Sequence, residues 1–175
     1  MGCGYEPRKS TDEIEWVNID LNPEVSFPDK IMDIQKPLPY EDSSIDGILI
    51  IHVIEHVSHQ KIMDMFKDWY RILKPGGKVD IECPNFTEAI KKWLIAPDWG
   101  DGSTYHTIFG GQRDVGSFHI AGYSYEILDK LLKEAGFAKV EKGGTNYEGS
   151  ENAPPSKGLE YGRDWNIRVI AYKQT

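Results

Sequence analysis

The stretch from Ser44 to Pro84 constrains the fold more than any other part of this chain, because it holds four structural signals in a fixed order. The run Ile48-Leu49-Ile50-Ile51, preceded by Asp46-Gly47, is short and mostly β-branched and predicts a strand buried on both faces. His52 to His59 brings polar groups to its end. From Gln60 the apolar residues Ile62, Met63, Phe66, Trp69, Tyr70 and Leu73 follow a helical period, with Lys74-Pro75-Gly76-Gly77 as the stop. Val79 and Ile81 then alternate with polar neighbours and open a second strand. Parallel strands joined by a helix cross over right-handedly, and open α/β sheets bind ligands beyond the carboxyl ends of their strands. His52, Glu55, His56 and the Pro84-Asn85 corner are therefore expected on one rim.

The rest of the chain extends this unit. Trp16 to Asp20 predicts a short strand ending in a carboxylate, and Lys30 to Ile34 repeats the design with Asp33. Phe86 to Ile95 reads as a short amphipathic helix. Tyr125 to Ala135 reads as another, with Ser124 as N-cap and Gly136 as the stop. Phe137 to Val140 and Ile167 to Tyr172 are expected to be the closing strands. The segments of about 97–118 and 143–162 lack a period and read as long loops. With 175 residues the expectation is one domain, 1–175, around a single core.

Composition narrows the partners. A net charge of −8 and a pI near 5.1 repel a phosphate backbone, so nucleic acid is not expected as a partner. Two cysteines, Cys3 and Cys83, are too few for a disulfide framework or a zinc knuckle and suit a reducing, cytoplasmic setting. No apolar run approaches a membrane span, and no secretory signal pattern opens the chain.

Several short motifs, taken in order, resemble those of class I S-adenosylmethionine-dependent methyltransferases of the small type with a Glu-His pair after strand four. Gly2-Cys3-Gly4 resembles the end of the glycine motif, Asp20 the acidic residue after strand two, and Asp33-Ile34 the adenine-side pair. Asp46 to Val57 resembles the strand-four motif, Leu73 to Gly77 the turn before strand five, and Gly122 to Phe137 the late helix. The resemblance implies a Rossmann-like α/β fold, with a mostly parallel sheet, helices on both faces and an antiparallel C-terminal strand. It implies S-adenosylmethionine as cofactor, S-adenosylhomocysteine as product, and Gly2, Cys3, Gly4, Asp20, Leu21, Asp33, Ile34 and His52 as the cofactor-binding residues.

Asp20 would accept from both ribose hydroxyls, although before Asn22-Pro23 it also reads as a turn former. Proton removal from an oxygen or nitrogen acceptor calls for a neutral base, and His56, His119 and His52 are the candidates in that order, His56 and His119 foremost, with His106 behind them. Trp99, Tyr105, Phe109, Phe118 and Tyr123 would line the acceptor pocket. A small-molecule or glycan-type acceptor is expected, and no metal. The family places a hydrophobic strand ahead of its glycine motif where this sequence has Met1, so the first central strand is expected to be missing. An upstream segment, another part of the chain or a homodimer partner would then fill the gap.

Two readings from other classes compete. His52-Val53-Ile54-Glu55-His56 matches the inverted zinc-peptidase pattern H-x-x-E-H, which requires both histidines on one face of a helix. A noncatalytic nucleoside-binding or assembly module of the same fold is the other.

Overall fold

The computed structural model describes residues 7–24, 28–100, 103–113, 115–144 and 166–175. Gly2, Cys3 and Gly4, and most of the expected 143–162 loop, lie outside the described residues. Strands β1 (Ile19–Asp20) and β2 (Lys30–Ile31) pair in parallel as one small sheet. A second sheet has the order β3-β4-β6-β5, built from β3 (Ile45–Ile51), β4 (Leu73–Pro84), β5 (Lys139–Lys142) and β6 (Asn166–Tyr172). β3 and β4 run parallel, and β6 is antiparallel to both of its neighbours. β6 alone therefore runs against the other strands of this sheet. No described strand joins the two sheets.

The predicted strand–helix–strand unit forms. Helix α1 (Ile62–Ile72) links β3 to β4 and buries Ile62, Met65, Phe66, Trp69 and Ile72. Its buried stripe is thus offset from the predicted one, since Met65 and Ile72 replace Met63 and Tyr70, which are only partly buried. The Lys74-Pro75-Gly76-Gly77 stop is drawn into an irregular start of β4. The pairing steps from Ile45–Leu73 to Gly47–Lys78 across a register shift.

The core lies on one sheet face. Ile48 and Ile50 of β3, Val79, Ile81 and Cys83 of β4, and Val169 and Ala171 of β6 share one alternation phase and pack with α1 and with α4 (Tyr125–Glu134). Each large side chain buried there contributes about 1.5–3 kcal/mol. The opposite phase carries Asp80, Glu82 and Arg168, with Leu49 and Ile51 half-buried. The expectation that Ile48–Ile51 is buried on both faces is thus corrected: one face is fully buried and the other, which it shares with Asp80, Glu82 and Arg168 of the neighbouring strands, only partly.

Helix α2 (Phe86–Ile95) forms where expected and is capped by Asn85, whose side chain accepts from the Glu88 N–H. Ser124 caps α4 by accepting from the Ile127 N–H. The segment read as a loop over 97–118 contains helix α3 (Thr104–Phe109) and a single 3-10 turn, Val115–Ser117. α3 is too short to show a period but has a Ser103 cap, and it packs on α2. No described helix is long and apolar enough to cross a membrane.

Candidate active site

The rim at the end of β3 is built by backbone strain and a long-range clasp. His52 stands directly after β3 with φ +50°, a left-handed conformation that costs a non-glycine residue roughly 1–2 kcal/mol. The His52 N–H donates to the Glu82 carbonyl at 2.9 Å, continuing the β3–β4 ladder by one step. The chain then turns into a single 3-10 turn, Ile54–His56, which points Glu55 inward. The Glu55 carbonyl accepts from the N–H groups of Ile120 (2.9 Å) and Ala121 (3.1 Å), so the segment after α3 is pinned across the rim.

That clasp delivers His119. Gly110 bridges Phe118, and its φ of +79° together with the absent Cβ lets the Ser117 carbonyl and the His119 backbone approach closely. His119 donates its Nδ1–H to the Thr107 carbonyl at 2.9 Å, and His56 donates its Nδ1–H to the Phe118 carbonyl at 2.8 Å. A carbonyl only accepts, so in the neutral form each ring carries its lone pair on Nε2. Burial holds the pKa of His119 below the ordinary histidine value.

Beneath the histidines lie two carboxylates. Glu55 is 2% exposed, and neither of its carboxylate oxygens has an aligned hydrogen-bond partner. His52 Nδ1 approaches Glu55 Oε1 at 3.3 Å, close enough for electrostatic attraction without that alignment. Asn166 donates to Glu82 Oε1 at 3.0 Å and contacts His52 Nε2 at 3.2 Å. Burial opposes a charge on His52, but Glu55 and then Glu82 more than offset it, so its pKa is raised. Burial, and then the same two carboxylates, push the Cys83 thiol up and keep it neutral.

The sequence-predicted residues fall into two groups. His52, Glu55, His56 and His119 converge. Asp20, Leu21, Asp33 and Ile34 sit at the carboxyl ends of β1 and β2, on the other sheet. Asp20 pairs with Ile31 in the β1–β2 register and places one oxygen, Oδ1, on the Asn22 N–H at 3.0 Å; Asp33 holds the Gln35 N–H at 3.1 Å in the same manner. The turn-former reading of Asp20 is therefore realised. Leu21 (62%) and Ile31 (59%) leave apolar surface exposed beside Asp20.

Of the expected pocket lining, Trp99, Tyr105 and Phe109 form a contiguous series of tilted rings with centroids 4.0 and 4.7 Å apart, and Phe118 adjoins it through the Gly110 bridge. Tyr123 instead is buried beside Asn85, and burial raises its phenol pKa. His52 and His56 do not share a helix, because β3 ends at Ile51 and the 3-10 turn begins only at Ile54; this removes the geometry that the peptidase pattern requires. Sequence reading missed Glu82 and Asn166. A charged residue between Ile81 and Cys83 in a buried strand was the available signal.

A family model described as "Methyltransferase domain" matches residues 7–81. A SAM-dependent methyltransferase from Archaeoglobus fulgidus superposes with a TM-score of 0.63 at 20% identity, covering 98% of this chain and 83% of that one. A protein of Bordetella parapertussis described as a possible exported protein gives 0.51 at 16% identity, covering 83% and 43%. Human N-acetylserotonin methyltransferase in complex with SAM gives 0.50 at 16% identity, covering 83% and 33%. The chain thus spans less than half the length of the Bordetella and human proteins. No curated protein matches it in sequence.

Proposed function

We propose that the chain is a class I S-adenosylmethionine-dependent methyltransferase that methylates an oxygen or nitrogen nucleophile of a small-molecule or glycan-type acceptor, a reading supported by the methyltransferase-domain match over residues 7–81 and by the likeness of its fold to that of a SAM-dependent methyltransferase. The observation that carries this is the convergence of Glu55, His56 and His119, with one candidate donor atom from each within 4.8 Å of the others, at the strand end and beside an aromatic surface.

The residues present fit the cofactor. A carboxylate at Asp20 beside the exposed apolar surfaces of Leu21 and Ile31 suits a ribose diol next to a flat base, and Asp33 with Ile34 extends that rim. His52 at the end of β3 joins this set, and Gly2, Cys3 and Gly4 are assigned to it from the sequence alone. S-adenosylmethionine bound there supplies an activated methyl group. The chain's own part is to align the acceptor with that methyl and to receive the acceptor's proton at His56 or His119, whose Nε2 lone pairs are left open by their Nδ1 bonds. Trp99, Tyr105 and Phe109 offer stacking surface to a ring or sugar face. The net charge of −8 favours such an acceptor over nucleic acid, and the low cysteine count favours the cytoplasm.

The test is transfer of labelled methyl from S-adenosylmethionine to a panel of phenols, sugars and amines. Label is expected on at least one acceptor and is expected to fall more than tenfold in His119→Ala with the circular dichroism spectrum unchanged. Label transfer to no acceptor by a chain that fails to bind the cofactor would overturn the proposal.

A further inference from the structure

We propose that Glu55, His56 and His119 form a binding site for one divalent transition-metal cation of the zinc class. The three side chains offer one carboxylate oxygen and two imidazole nitrogens, with the candidate donor atoms all within 4.8 Å of one another. A point central to three atoms so spaced lies within about 2.8 Å of each, so an inward shift of under about 1 Å reaches the 2.0–2.2 Å bonds of zinc.

Three independent features prepare the site. The Phe118 and Thr107 carbonyls fix the Nδ1 protons of His56 and His119, which orients the rings and leaves Nε2 as the ligating atom, the arrangement that second-layer acceptors give metal-bound histidines. The rings meet edge to face with centroids 4.9 Å apart, which holds the two imidazoles side by side. Glu55 is a buried carboxylate with no aligned hydrogen bond on either oxygen and the long 3.3 Å approach of His52 Nδ1 beside it, so a bound cation would satisfy it more fully. Both histidines are half-buried, so coordination positions stay open on the solvent side. Two imidazoles with one carboxylate favour zinc or iron over magnesium or calcium, which prefer oxygen alone. His52 lies 3.3 Å from Glu55 and is the residue a cation would displace from that carboxylate.

The site stands on this geometry. Its consequence for chemistry rests on the proposed methyl transfer and replaces the proton-accepting role of His56 and His119, whose Nε2 lone pairs the cation would occupy: with a cation held, an acceptor hydroxyl that joins it would lose its proton to solvent more readily, which favours an oxygen nucleophile.

The experiment is calorimetric titration of the chelator-stripped protein with Zn²⁺ and, separately, Mg²⁺, with metal content per chain measured after dialysis. One equivalent of zinc is expected, with much weaker magnesium binding. His119→Ala and His56→Asn, with circular dichroism checked, are expected to lose zinc affinity at least tenfold, and His59→Ala to keep it. Absence of stoichiometric zinc, or equal affinity in wild type and both site variants, would overturn the proposal. S-adenosylhomocysteine binding measured on the same samples separates the two ideas: nucleoside bound without zinc refutes the metal site and leaves the methyltransferase reading standing, and zinc without nucleoside does the reverse.

Discussion

His56 and His119 meet edge to face with ring centroids 4.9 Å apart, although one belongs to the turn after β3 and the other to the segment after α3. Their meeting depends on backbone groups. The Glu55 carbonyl holds Ile120 and Ala121, the Phe118 carbonyl receives His56, and the Thr107 carbonyl receives His119. The site is therefore only as well placed as the 107–121 segment that closes it.

Gly110→Ala tests that dependence. The glycine has φ +79°, and a Cβ there would collide with the Ser117 carbonyl and the His119 backbone. The expected result is a loss of about 1–3 kcal/mol in urea unfolding, with shifted NMR signals for the His56 and His119 rings and none for His59. Unmoved His119 signals would show that the segment is held by other means.

The Asp80–Arg168 pair lies across β4 and β6 with two charge-assisted bonds, 2.8 and 2.6 Å, and both side chains are largely buried. Arg168→Met alone is expected to cost about 3–5 kcal/mol, because it strands a buried carboxylate, whereas Arg168→Met with Asp80→Leu is expected to recover most of that loss. Urea midpoints at constant m-value give both numbers. A double variant as unstable as the single one would mean that the pair does not act as a unit.

His52 gives a pH signature in the metal-free protein. Its folded pKa is raised above 6.5, with the penalty of burial outweighed by Glu55 and Glu82. Its contribution to stability is therefore fully present below pH 6.5 and is lost as the pH rises through the higher folded value. Glu55→Gln removes the larger favourable cause and is expected to lower the His52 midpoint in an NMR titration. An unchanged midpoint would show that Glu55 does not govern it.

Where local pattern and burial agree, the sequence was a sufficient guide. The Ile48–Ile51 run, the α1 stripe and the Ser124 cap each follow from short-range chemistry, and each lies within a residue or two of its expected place. β5 is displaced by two residues from Phe137–Val140 because Phe137 is taken into the core against Tyr70, leaving Lys139–Lys142 to pair with β6. α3 was illegible because six residues hold less than two turns of period, so only its Ser103 cap marks it. At the site, His52, Glu55 and His56 were legible from the strand end. The contribution of His119 depended on the Gly110 bridge and the Glu55 clasp, and that of Asn166 on an antiparallel register, Pro84 with Asn166, which no local pattern encodes.

The most direct test of cofactor binding by this fold is calorimetric titration of the protein with S-adenosylhomocysteine, beside the Asp20→Ala variant. One saturable site at micromolar affinity is expected, weakened about ten- to a hundredfold in Asp20→Ala, as the loss of charge-assisted bonds of about 1.5–3 kcal/mol implies. A folded wild-type chain that gives no binding heat and no thermal stabilisation with S-adenosylhomocysteine would contradict that expectation.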